Sequence, residues 1–153
     1  MNLRDLLHGV TAEPVSAVPV AGIACHSKQV RPGDLFVAIE GTAMDGHAFV
    51  DEAIARGAAA IVAQRLPDHL RGTTGWSAHP ADLTRRACPC VVVPDTRQAL
   101  VKIATRFYGN PSRKLRLIAV TGTNGKTTIT YLLKTILEAA NARAGMLGTI
   151  IYQ

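Results

Sequence analysis

The sequence predicts an α/β fold, and three observations carry that expectation. Short apolar runs of strand length alternate with segments whose apolar residues recur at helical spacing. Clusters of glycine, proline and asparagine punctuate most of the junctions. The 153 residues are 48% hydrophobic and 18% charged, apolar enough to build a core and too apolar for a disordered chain.

The elements follow in order. Asn2 is placed to cap a short helix carrying Leu3, Leu6 and Leu7. Val18 to Ala24 reads as a strand, and the polar stretch His26-Ser27-Lys28-Gln29 follows it. Arg31-Pro32-Gly33-Asp34 is a turn signal, with Asp34 in a turn role. Leu35 to Ile39 is a continuous apolar run, the signature of a buried strand, and Gly41 to Gly46 is a loop. A helix capped by Asp45 carries the stripe Phe49, Val50, Ala53 and Ile54; Arg56 suits its carboxyl end and Gly57 suits the position after it. Ala58 to Ala63 is the next strand. Gln64 to Ala87 has no clear period and is broken by Pro67, Gly72, Gly75 and Pro80, so it reads as loop with at most one helical turn. Cys90 to Val93 is a strand. Asp95 with Gln98 forms a capping box for a helix whose buried face is Leu100, Ile103, Ala104 and Phe107. Gly109-Asn110-Pro111 ends that helix and marks a domain boundary, residues 1–110 on one side and 111–153 on the other. Leu115 to Val120 is expected as a buried strand. A helix then carries Ile129, Leu132, Leu133, Ile136, Leu137 and Ala140 at helical spacing, and Met146 to Tyr152 begins a further strand.

Charge narrows the function classes. Seventeen Lys and Arg against eleven Asp and Glu leave +6, which favours an anionic partner. Aromatics are 5% and no basic recognition helix is present, so nucleic acid fits poorly. Lys102, Arg106, Arg113, Lys114 and Arg116 fall within fifteen residues free of Asp and Glu. They read either as a solvated helix face and linker or as a positive field beside a phosphorylated ligand. The three cysteines, Cys25, Cys88 and Cys90, do not make a disulfide framework, and Cys88-Pro89-Cys90 reads as two thiols at the entry of a buried strand. The five histidines, His8, His26, His47, His69 and His79, show no metal spacing, and His69 and His79 read as surface residues. No stretch approaches the ~20 apolar residues of a membrane span. The amino terminus is too charged for a signal peptide, so the cytoplasm is the expected compartment.

The chemistry concentrates in Thr121-Gly122-Thr123-Asn124-Gly125-Lys126-Thr127-Thr128, between an apolar run and a helix. Backbone N–H groups at a helix start are free donors, and the helix dipole adds positive potential at the same point. Lys126 would reach the outer phosphates of a nucleotide and the Thr127 hydroxyl would hold Mg²⁺. The full G-x-x-x-x-G-K-[ST] pattern is not met: its first glycine falls on Val120, and the glycine present is Gly122. The bland alternative is a glycine-bearing connection with an exposed lysine; the flanking elements favour phosphate binding.

Ala119 to Thr128 resembles the ATP loop of the Mur ligases and their folylpolyglutamate synthetase relatives, whose shortened loop would account for Val120. His26 to Ala38 is similar to the D-S-R-x-V-x-x-G-D-L-F-V-A stretch of the muramoyl-tripeptide synthetases of that family, and Gly41 to Phe49, Ala53 to Ala59 and Arg106 to Ser112 continue the likeness. The resemblance implies a small mixed α/β sheet domain over 1–110 that holds the UDP moiety of UDP-MurNAc-dipeptide. The first β-α-β of a P-loop ATPase domain would then occupy 111–153. It places Cys25, Ser27, Thr42, Ala43 and Met44 at the nucleotide-linked substrate. Gly122, Thr123, Asn124, Gly125, Lys126, Thr127 and Thr128 fall at ATP, with Lys126 catalytic and Thr127 on Mg²⁺. His26 and Lys28 stand where the family usually has Asp and Arg, and Thr42-Ala43 where His-Gln is frequent, so side-chain contacts there differ from the family's.

The implied reaction is ATP-dependent phosphorylation of the D-Glu carboxylate. The amine of meso-diaminopimelate or L-lysine then attacks the acyl-phosphate. The family's amino-acid-selecting domain is not represented, so the chain reads as an amino-terminal portion, a monomer without membrane insertion and without ligase activity on its own. The alternatives are the relative that adds D-Ala-D-Ala, and a non-catalytic UDP-sugar or nucleotide-binding module.

Overall fold

The computed structural model describes residues 1–41, 44–70 and 88–148. The chain divides into two compact units, Met1–Pro111 and Ser112–Gln153.

The first unit is built on a four-stranded, wholly parallel sheet: β1 (Gly22–Ala24), β2 (Asp34–Val37), β3 (Ala60–Ala63) and β4 (Cys90–Val92), side by side in chain order. The register sets Ile23 beside Leu35, Phe36 beside Ile61 and Val62 beside Val91. Every residue of β2 and β3 is buried. That explains their unbroken apolar runs, since a parallel sheet is covered on both faces. On one face Leu35, Val37, Ala60, Val62 and Val91 pack with Leu3, Leu6 and Leu7 of helix α1 (Leu3–Leu7) and with Ala99 and Ile103 of α3 (Thr96–Phe107). On the other, Phe36, Ile61, Ala63 and Cys90 pack with Val50 and Ala53 of α2 (Val50–Ala55). The side-chain period of two along each strand feeds the two cores alternately.

Several elements depart from the sequence expectation. Only Gly22–Ala24 of the run from Val18 joins the sheet. Pro19 has no N–H to give a ladder, and this stretch pairs instead with the amino terminus: Leu3 N–H donates to Val18 O at 2.8 Å and Val20 N–H to Met1 O at 2.7 Å. Asn2 stands at the N-cap of α1 without a side-chain capping bond. The helix expected after Asp45 begins as a 3₁₀ turn, Gly46–Phe49, before α2. α3 buries Thr96, Ala99 and Ile103, a face rotated from the expected one, with Leu100 and Phe107 flanking the core. Of the irregular middle, Asp68–Leu70 forms one 3₁₀ turn; residues 71–87, with His79, lie outside the described residues.

Two of the basic residues find local work. Arg106 donates to the carbonyls of Leu6, at 3.0 Å, and His8. Lys102 reaches Gly9 O at 3.3 Å. Both satisfy carbonyls at and just beyond the carboxyl end of α1, as cations there do.

In the second unit, helix α4 (Lys126–Ala139) forms as expected, but no residue of it is buried. Leu115–Val120 is not a strand: Leu115, Leu117 and Ile118 are exposed and join no ladder among the described residues. Met146–Gly148 belongs to no named strand, although Leu147 makes a single β-bridge, and 149–153 lie outside the described residues. A parallel strand needs a neighbour to pair with and an apolar helical stripe needs a sheet to cover it; the described residues of this unit supply neither.

Candidate functional site

In an open parallel sheet, ligands bind beyond the carboxyl ends of the strands, where the connecting loops converge. Here those ends lead into Cys25–Gln29 after β1, Ala38–His47 after β2, Gln64–Arg65 after β3 and Val93–Asp95 after β4. The expected substrate residues Cys25, Ser27 and Met44 therefore come to one edge of the sheet, on the loops of two adjacent strands. Thr42 and Ala43 lie outside the described residues.

Cys25 is half-buried against the α1–α3 core, and burial pushes its thiol pKa up, so it is no nucleophile. Ser27 is buried at the start of a 3₁₀ turn, Ser27–Gln29. Its hydroxyl donates to Glu52 Oε2 on α2 at 2.7 Å, and this bond holds the Glu52 carboxyl below the usual carboxylate range. Arg56, one helical turn on, donates to Glu52 Oε1 at 3.1 Å and to Lys28 O at 3.3 Å. The turn after β1 is thus clasped to α2 at two points. With its proton committed to Glu52, Ser27 offers a ligand its oxygen lone pairs and the surrounding backbone. Glu52 and Arg56 are visible in the sequence as an ordinary i,i+4 pair; their link to Ser27 is not.

The loop after β2 is closed at its base. Glu40 and Asp45 form an antiparallel bridge, Gly41 N–H donates to Met44 O at 3.1 Å, and Gly46 N–H donates to Ile39 O at 2.9 Å. A Cβ on Gly46 would stand 2.7 Å from Ile39 O and 2.8 Å from Ile39 N, so only glycine lets these backbones meet. Met44 is 65% exposed on this loop. Asp45 caps the turn that follows through His47 N, at 3.0 Å, and pairs with Arg65; the His47 bonds hold its carboxyl below the usual range. Arg97 of α3 donates to Glu40 O at 2.8 Å. A groove of about 820 Å³ runs along the outer edge of β1, between Lys28, Arg31 and Asp34 on one side and Phe107 and Tyr108 on the other. It is lined by Ala24 and Lys28, the neighbours of the sequence-expected residues Cys25 and Ser27.

In the second unit the residues expected to bind phosphate precede and open α4. Gly125 is the N-cap of α4 with φ +77°, a left-handed conformation that favours glycine. Gly122, Thr123 and Asn124 precede it, and Thr127 and Thr128 lie in the first turn, whose N–H groups have no intrahelical partner. The Lys126 ammonium folds back over the loop, donating to Gly122 O and, at 3.2 Å, to Thr123 O. Among the described residues no group of three His, Cys, Asp or Glu side chains is placed to hold a metal. Thr127 lies in the first turn of α4, where its hydroxyl could join a Mg²⁺ carried by nucleotide phosphates. Cys88 and Cys90 stand at the entry of β4; burial pushes the Cys88 thiol up to about 12, which leaves it inert. His69 is exposed and meets Asp51 at 2.9 Å.

A parallel sheet with clasped loops at its carboxyl edge, and a helix led by a Gly-Lys-Thr loop, define an α/β protein. Residues 19–108 match the Mur ligase family, catalytic domain, and residues 120–153 match the Mur ligase middle domain. The chain belongs to the Mur ligase family. It is 41% identical over 153 residues to the UDP-N-acetylmuramoyl-L-alanyl-D-glutamate–2,6-diaminopimelate ligase of Parabacteroides distasonis, covering 98% of this chain and 29% of that one. A solved structure of a ligase of the same name superposes with a TM-score of 0.70 at 25% identity, over 100% of this chain and 28% of that one. The MurF ligase of Thermotoga maritima in complex with ADP gives 0.51 at 30% identity, over 82% and 25%. The chain thus spans under a third of the length of these relatives. Among the described residues no helix is long and apolar enough to cross a membrane.

Proposed function

We propose that this chain supplies the nucleotide-substrate docking unit and the ATP loop of a ligase. That ligase adds a diamino acid to UDP-MurNAc-L-Ala-D-Glu in peptidoglycan synthesis. The observation that carries the reading is one of order. Turn Ser27–Gln29 and loop Gly41–Asp45 lie at the carboxyl edge of a sheet within 19–108, and a Gly-Lys-Thr helix start follows within 120–153. The names of the relatives fit it: they are diaminopimelate ligases, and one structural neighbour carries ADP.

In this reading Cys25, Ser27, Thr42, Ala43 and Met44 line the uridine diphosphate end of the substrate, largely through backbone groups. Gly122 to Thr128 wrap the phosphates of ATP. Lys126 turns from the loop carbonyls onto the transferring phosphoryl group and offsets its charge, a role restricted to the transition from ATP to acyl-phosphate. Bound Mg²⁺ would supply further charge neutralisation, with the Thr127 hydroxyl as its protein ligand. The D-Glu carboxylate accepts the phosphoryl group, and the incoming amine displaces phosphate to form the amide. Domain 1–110 is the docking domain and 111–153 begins the ATP domain of a monomeric cytoplasmic enzyme.

Calorimetric titration of the chain tests the reading. UDP-MurNAc-L-Ala-D-Glu and ATP should each bind, and no tripeptide should form when both are supplied with diaminopimelate. Binding of duplex DNA with neither nucleotide retained, or turnover by residues 1–153 alone, would overturn it.

A further inference from the structure

His47 is 6% exposed, and both its ring nitrogens are engaged. Gln64 N–H points at Nε2 from 3.0 Å. A backbone N–H can only donate, so Nε2 is the acceptor and the ring proton sits on Nδ1. Nδ1 then donates to Asp45 Oδ1 at 2.5 Å. The imidazole therefore bridges the base of the loop after β2 to the first residue after β3. The connection continues: the Gln64 side chain donates to Pro94 O at 3.2 Å and accepts from the Thr96 hydroxyl at 3.2 Å. One buried ring and one amide thus link the segments that follow β2, β3 and β4.

The two arms of the ring differ in importance. Asp45 is also held by His47 N and by Arg65, so loss of the Nδ1 bond leaves it anchored. Through the Nε2 arm the ring ties the loop base to the end of β3.

We infer that His47 is a positioning residue that fixes Asp45 and Gly46, the base of the loop after β2, against the end of β3, and so sets the affinity for the uridine end of the substrate. The inference rests on the docking role proposed above. His47 touches no ligand itself; it acts through Asp45, Gly46 and the loop they close.

The test compares UDP and ATP binding by the chain and three variants, at temperatures where chemical denaturation shows each to be folded. His47→Leu fills the space without polar atoms, His47→Gln keeps an acceptor near Nε2, and His47→Asn keeps a donor near Nδ1. UDP affinity should fall about tenfold in the Leu variant, the loss expected of one buried hydrogen bond. The Gln variant should stay within about threefold of the parent, because its acceptor preserves that bond. The Asn variant should resemble Leu, and ATP affinity should be unchanged in all three. A space-filling role would make Leu and Gln equal. Equal UDP binding by the parent and the Leu variant, or no rescue by Gln over Asn, overturns the assignment of His47. Should the Leu variant not fold, Gln against Asn decides alone. A parent chain that binds no UDP at all is a different result and removes the docking role together with this inference.

Discussion

At the scale of single residues, this protein spends its polar side chains on holding loops rather than on a preformed reactive group. Ser27, Glu52 and Arg56 clasp the turn after β1 to α2. Removing the carboxylate with Glu52→Ala should release the turn and raise the dissociation constant for UDP about tenfold, the loss of a hydrogen bond to a charged group; Glu52→Gln, which still accepts from Ser27, should recover most of it. Equal binding by both in titration calorimetry would remove the clasp from the account. Gly46→Ala should weaken UDP binding as well, since the added Cβ meets Ile39 backbone atoms that cannot give way. Asp45 and Asp95 carry depressed carboxyl pKa values, Asp45 from the His47 bonds and Asp95 from the Gln98 and Arg97 N–H groups. A lowered folded-state value means the stabilisation is complete above the ordinary Asp range and is lost as pH falls through the folded value. Asp95→Asn should therefore flatten the acid limb of the stability-against-pH curve and leave its slope near neutrality unchanged. The capping roles of Asp45 and Asp95 were legible because an N-cap acts within a few residues. The linkage of Ser27 to Glu52 was not, because the partners are 25 residues apart and meet only when β1 and α2 pack.

Among the elements, β2, β3 and α3 carry the fold. Ile103 is fully buried against the sheet, and Ile103→Ala should destabilise the first unit by about 3 kcal/mol in urea denaturation. A change under about 1 kcal/mol would mean that α3 does not cover this face. The unbroken apolar run Leu35–Ile39 announced a buried strand, and every residue of β2 is buried. Val18–Ala24 was read too long because Pro19 is silent in a count of apolar residues yet decisive for a ladder. The face of α3 was misplaced by one helical step because Thr96 and Ala99 fill the contact in place of larger residues. α4 shows the opposite limit. Its period was clear in the sequence, while burial depends on a covering surface that no periodicity can supply. Its amides should exchange with solvent far faster than those of β2 and β3, a difference that hydrogen exchange reads directly.

The whole molecule consists of two units. Met1–Pro111 has two cores on either side of one sheet. The described residues from Ser112 onward include the loop proposed to hold ATP and a helix with Ile129, Leu132 and Ile136 exposed. The net charge of +6 has correspondingly local meanings. Lys102 and Arg106 serve carbonyls at and just after α1, Arg56 and Arg65 serve the loop clasps, and Lys126 stands at the loop assigned to ATP. Lys126→Ala should lower ATP affinity about tenfold or more, as loss of a charge-assisted contact does, and leave UDP binding unchanged. The central claim, that the carboxyl edge of the sheet docks a uridine-linked substrate, is tested most directly by mapping backbone amide shifts during titration with UDP-MurNAc-L-Ala-D-Glu. Saturable shifts should concentrate at Cys25–Gln29 and Gly41–His47. Shifts confined to the β1 groove around Arg31 and Tyr108, or no saturable shift at all, would contradict it.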